Sequence, residues 1–157
     1  MGHYHTLNMR VDVSKETGKQ IELFQKEGIL PEGLDSHIAH KMLTHEQDNV
    51  FNKHVIVSFS KYSIKEDMDA ALDFGSLIIS VIIKNYENEI QTFLDWLSSH
   101  LSVGGEIQFI GTIIDNDGDD LPEWIVTYKD IHTGGQIIKC IPAFECFNMN
   151  NLLIHEV

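Results

Sequence analysis

The chain has 157 residues, 43% of them hydrophobic, with 24 Asp/Glu against 11 Lys/Arg and a formal net charge of −13. That length suits one domain spanning residues 1–157 with a proper apolar core, and the composition excludes wholesale disorder. The charge bears on solubility and partner choice rather than fold: it repels nucleic acid and anionic membrane and favours a basic protein surface.

The longest apolar run, residues 77–83, is broken by Ser80 and too short to span a bilayer. The first twelve residues lack the apolar stretch of a signal peptide. Cys140 and Cys146 are too few for a disulfide framework, so a reducing cytoplasm is the expected compartment. The charge is uneven. Residues 1–78 hold 8 Lys/Arg against 12 Asp/Glu, and residues 79–157 hold 3 against 12, so the second half carries a net −9.

In chain order, residues 4–13 alternate, with Leu7, Met9, Val11 and Val13 on one face and Asn8, Arg10 and Asp12 on the other. This is the pattern of a half-buried strand. Ser14 is placed to cap a helix over 15–27, striped by Ile21 and Phe24, weakened by Gly18 and stopped by Gly28. Pro31, Gly33 and Asp35 mark a loop, and Ser36 is expected to cap a short helix through Leu43. Residues 53–62 alternate again, with Val55, Val57 and Phe59 together, and predict a strand. Residues 63–74, acidic through Glu66, Asp67, Asp69 and Asp73, fit a short helix or a loop.

Residues 77–83 are β-branched and apolar, as in a central strand. Asn85 is expected to cap the strongest helix, in which Tyr86, Ile90, Phe93, Leu94, Leu97 and Leu101 recur at helical spacing. Glu87 and Glu89 suit its N-terminal end, and Gly104-Gly105 closes it. Residues 106–114 and 123–128 predict a hairpin around the turn Asp115-Asn116-Asp117-Gly118-Asp119-Asp120. Thr133-Gly134-Gly135 makes a second turn. Residues 136–147 predict an edge strand or one bent at Pro142, and residues 150–157 fit a short strand.

The order β-α-(loop/helix)-β-β-α-β-β-β predicts an α+β fold. The expected form is a mainly antiparallel sheet with two helices on one face, a ferredoxin-like sandwich elaborated over residues 28–50 and extended by C-terminal strands.

The Asp-rich turn is the densest candidate for function. Its carboxylates suit a solvated hairpin tip, an acidic finger that contacts a protein, or hard-oxygen ligation of Ca²⁺. Glycine stands fourth rather than sixth and Val126 occupies position twelve, so it is not an EF-hand loop. Four such carboxylates repel one another unless a cation or basic partner neutralises them. His37, His40 and His45 come near helical spacing, and His3 and His5 share a strand face, but no zinc pattern is present and no metal is expected. Cys140 and Cys146 read as buried thiols. No phosphate-binding loop and no basic stripe occur, so neither a nucleotide cofactor nor direct nucleic-acid binding is expected. Trp96 belongs beside the helical apolar stripe. Trp124, which follows the acidic turn, fits either the core or an exposed anchor at a charged rim.

Residues 85–97 (NYENEI, then FLDWL) and the segment LPEWIVTY at 121–128 resemble small accessory proteins of bacteriophages and mobile elements. The likeness covers residues 76–130. It implies an anti-CRISPR or anti-restriction type of inhibitor, some of which occupy the nucleic-acid channel of a host defence enzyme as a nucleic-acid mimic.

The functional expectation is a non-enzymatic acidic protein, without cofactor, that docks on a basic nucleic-acid-binding surface of a protein partner such as a CRISPR effector or restriction nuclease. No membrane partner is expected, and the sequence does not set an oligomeric state. The partner-binding residues are Asp115, Asp117, Asp119, Asp120, Glu123 and Trp124, with Glu66, Asp67, Asp69 and Asp73 as a second patch. The alternatives are an immunity protein that neutralises a toxin and a small histidine/aspartate metal-dependent enzyme.

Overall fold

A computed structural model describes residues 4–44, 54–60, 74–85, 87–101, 107–116, 118, 122–130, 132–133 and 135–142. Among them, six strands and three helices follow one another as β1 (Tyr4–Ser14), α1 (Lys15–Glu27), α2 (Ser36–Leu43), β2 (His54–Ser60), β3 (Phe74–Lys84), α3 (Glu89–Ser98), β4 (Gln108–Asp115), β5 (Glu123–Lys129) and β6 (Gln136–Pro142). The strands form one sheet in the order β2-β3-β1-β4-β5-β6, and every neighbouring pair is antiparallel.

The first four strands therefore stand in the 4-1-3-2 arrangement of two interleaved βαβ units. The connection from β1 to β2 carries α1 and α2, and α3 links β3 to β4. β5 and β6 extend the sheet beyond β4, with β6 at the edge. This is the elaborated ferredoxin-like α+β sandwich expected from the element order.

Register puts the apolar alternates of neighbouring strands on one face. Leu7 stands opposite both Val81 and Ile113, and Val11 opposite Leu77. These residues join Ile21 and Phe24 of α1, Ala39 and Met42 of α2, and Phe93 and Leu97 of α3 in one buried cluster. The helices cover that face because their own 3.6-residue stripes are apolar on one side only.

Local signals decide the helix ends. Ser14 Oγ accepts from the Thr17 N–H at 3.2 Å, and Gly28, at φ 74°, donates its N–H to the Phe24 carbonyl at 2.9 Å. At α2 the cap is Asp35 rather than Ser36. Asp35 keeps an extended backbone and its Oδ2 accepts from His37 and Ile38, while Ser36 is already the first helical residue.

α3 begins at Glu89, three residues later than the apolar spacing suggests. Asn88 precedes it at φ 58° and makes no side-chain cap. Asn85 reaches in from outside the helix, and its Oδ1 accepts from the Ile90 N–H at 2.9 Å. The helix ends at Ser98, and Leu101 forms a bridge to Val13 rather than a further helical turn. Gly104-Gly105 and the segments expected at residues 63–73, 143–147 and 150–157 lie outside the described residues. Among the described residues, no helix is long and apolar enough to cross a membrane.

Candidate functional site

The β4–β5 hairpin carries the features that the sequence singles out. It is anchored at the start of its turn. The Asn116 backbone N–H donates to the Tyr4 carbonyl at 2.8 Å, and its side-chain amide donates to Thr6 Oγ1 at 2.8 Å. Register places Thr112 opposite Trp124 and Ile113 opposite Glu123, so Trp124 and Glu123 point to opposite sides of the sheet.

Asp115, at the end of β4, lies across from His5 on the same side as Leu7 and Ile113. Its Oδ2 is 4.0 Å from His5 Nε2, and its side chain is 16% exposed. Glu123 is half-buried on that side, where its charge, with that of Asp95, acts on Cys140. Burial first, and then these two carboxylates, push the Cys140 thiol up to about 11.

Trp124 faces the other side. Its ring meets that of Phe109 at 4.7 Å between centroids with planes tilted by 59°, and Phe109 is 51% exposed. The structure thus separates Trp124 from Asp115 and Glu123. Asp117, Asp119 and Asp120, and the second patch of Glu66, Asp67, Asp69 and Asp73, lie outside the described residues.

The face opposite the helices is mixed. Ile56, Ile114 and Phe109 are exposed there, and Val126 with Ile141 forms a small second apolar cluster. By register the charged side chains of the described strands on this face are Arg10, Lys84 and Lys139 against Asp12. Ser80 donates to Asn8 Oδ1 at 2.7 Å, and Arg10 Nε donates to Ser76 Oγ at 3.3 Å.

Between β1 and β4 the sheet parts. A bulge at Ile110 shifts the register between Phe109 and Gly111, and pairing of β1 with β4 stops at Met9 and Gly111. β1 then bridges to Leu101 through Val13. A cleft of about 420 Å³ opens there, lined by Arg10, Val11, Asp12, Gln108, Phe109 and Ile110. Sequence reasoning did not select Arg10, Asp12 or Phe109 for function. The available signal was Phe109-Ile110-Gly111, where two adjacent apolar residues and a glycine break the two-residue period.

The histidines serve separate contacts. His37 Nε2 is 3.9 Å from Glu89, and His40 packs edge-on to Phe24 while its Nδ1 meets the Ser36 carbonyl at 2.8 Å. Among the described residues no group of three or more His, Cys, Asp or Glu is arranged to hold a metal ion. Trp96 lies beside the apolar stripe as expected, near Phe93 and His100, and donates its Nε1–H to the Glu32 carbonyl at 2.9 Å.

No protein-family model matches the chain. No curated protein and no solved structure matches it either.

Proposed function

We propose that this is a non-enzymatic binding protein that docks on a basic, nucleic-acid-binding surface of a protein partner. The biological role that fits is a phage-encoded inhibitor of a host defence nuclease, such as a CRISPR effector or restriction enzyme. The observation that carries the reading is the β4–β5 hairpin. On one face of that hairpin the exposed Phe109 meets the Trp124 ring, and the sequence joining its strands runs through Asp115, Asp117, Asp119 and Asp120. Aromatic anchors next to a charged rim are how a few residues come to dominate an interface. Carboxylates at the rim steer encounter with a groove built for phosphates. The net charge of −13 supports the same polarity of partner.

The test is capture on the immobilised full chain from nuclease-treated host lysate, eluted on a salt gradient and repeated with two variants. A defined nucleic-acid-binding protein should elute as salt rises. Trp124→Ala should weaken its retention about tenfold or more, and joint Asp→Asn replacement at 115, 117, 119 and 120 should lower the eluting salt. A partner retained equally by both variants, or no partner at low salt, would overturn the reading.

A further inference from the structure

The sheet face that carries no helix can be followed row by row across four strands. Ile56 on β2 pairs with Ile78 on β3, and Ile78 pairs with Arg10 on β1. Phe109 on β4 continues this row, because Met9 pairs with Gly111 and the bulge at Ile110 brings Phe109 in next. In the following row Ser58 pairs with Ser76, and Ser76 with Asp12. The block is open at both margins: Ile56 is 37% and Phe109 51% exposed, and Asn8, Arg10 and Ser58 are exposed as well.

Two opposite charges on this block have not found each other. Arg10 Nε donates to Ser76 Oγ at 3.3 Å, so the guanidinium leans from β1 over β3. Among the described residues neither Arg10 nor Asp12 makes an ion pair. The guanidinium nitrogens beyond Nε and both Asp12 oxygens keep their capacity for a further partner.

We propose that this face packs on the same face of a second copy of the chain. The two-fold axis lies between the two sheets, parallel to the strands and midway between β3 and β1. It sets β3 against β1 of the second copy and β2 against its β4. Ser76 then faces Asp12 of the second copy, so the guanidinium already held at Ser76 meets that carboxylate, and symmetry forms the pair twice. Ile56 faces Phe109 of the second copy at each end of the neighbouring row, which covers both exposed apolar margins. The charged side chains of the described strands in this block are Arg10 and Lys84 against Asp12, so two chains of net −13 meet over a surface without acidic excess. Four strands about 4.8 Å apart, with seven residues in β2, span about 19 Å by 23 Å. Packing two such blocks buries roughly 1,000 Å² in total, the lower bound for a stable interface, which suits a micromolar dimer. The inference does not rest on the proposed partner docking. It shares only Phe109 with that surface, and Trp124 lies on β5 outside the block.

Sedimentation equilibrium of the full chain tests it. Between about 1 and 300 µM the data should fit a monomer–dimer equilibrium with a Kd of about 1–100 µM. Arg10→Glu and Asp12→Arg should each weaken the dimer about tenfold or more, since each sets like charges face to face. An equimolar mixture of the two variants should recover it, because each supplies the charge that the other has lost. That recovery also shows that both variants fold. Ile56→Asp should weaken the dimer as well, through the apolar contact with Phe109 of the second copy. A monomer throughout the concentration range, a dimer indifferent to both charge reversals, or a mixture that stays monomeric would overturn the proposal.

Discussion

Lys41 Nζ donates to Glu89 Oε1 at 2.7 Å, and this contact fastens α2 to the first turn of α3. The Glu89 side chain is 3% exposed, and its other oxygen accepts from the Glu87 N–H at 3.0 Å. Burial opposes its ionisation. The hydrogen bonds from Lys41 and from the backbone at Glu89 and Glu87 outweigh that effect and hold the carboxyl below its ordinary value. Lys41→Met leaves a buried carboxylate without its cation and should destabilise by about 2 kcal/mol, toward the low side for a buried pair because Lys41 is 22% exposed. Urea unfolding at neutral pH measures it.

The same pair sets an acid dependence. A folded-state pKa below the ordinary 4.5 means that the contribution of Glu89 is present above that value and lost as pH falls through the lowered one. Glu89→Gln should therefore be less stable than the wild type at neutral pH, with the gap narrowing below about pH 4.5. A constant gap from neutral to strongly acid pH would contradict the assignment.

Gly111 sits where β1 and β4 first cross after the bulge. A Cβ there would meet the Asn8 carbonyl oxygen and lie 2.7 Å from Met9 Cα, both backbone atoms of the central strand. Gly111→Ala should cost about 3 kcal/mol because a backbone neighbour cannot swing aside as a side chain can. Thermal unfolding beside Gly135→Ala, where the nearest atom is Thr133 Oγ1 at 3.5 Å, separates the steric effect from a generic loss of glycine.

Ser14 ends β1 and caps α1, and its hydroxyl also donates to Thr17 Oγ1 at 2.8 Å, which contacts His100 Nδ1 at 3.1 Å. Ser14→Ala removes the cap and one link of this chain and should cost about 1 kcal/mol. Ser14→Thr keeps the hydroxyl and should recover most of that loss in the same unfolding assay.

Cys140 should be a slow nucleophile. Raising a thiol from 9.0 to about 11 lowers its thiolate fraction at neutral pH about a hundredfold. In a Cys146→Ser background, a disulfide reagent at pH 8 should label Cys140 at least about tenfold more slowly than free cysteine, and unfolding in urea should abolish the difference. Equal rates in the folded protein would contradict the burial.

Much of the architecture was legible because its signals are local. Leu7, Met9, Val11 and Val13 announce a strand and its buried side, Ser14 and Gly28 bracket α1, and the β-α-β-β-α-β rhythm implies the 4-1-3-2 order. The late start of α3 was less legible. Tyr86 and Ile90 share helical spacing, yet Asn88 takes a left-handed conformation and restarts the chain at Glu89. Spacing records which residues could share a face, not whether the backbone between them is helical.

For the candidate surface the division is sharper. The sequence by itself determined the charge, the Asp-rich turn, and the fact that Glu123 and Trp124, as neighbours on a strand, must part to opposite faces. The tertiary structure alone decided that Phe109 meets Trp124, that Asp115 turns toward His5, and that Arg10 and Asp12 line a cleft. The first set follows from composition and the two-residue period of a strand, which any short window contains. The second set depends on register between strands joined across more than a hundred residues and on one extra residue at Ile110. A register change of one moves every side chain to the other face, so the contacts between β1 and β4 exist only once those distant strands have paired.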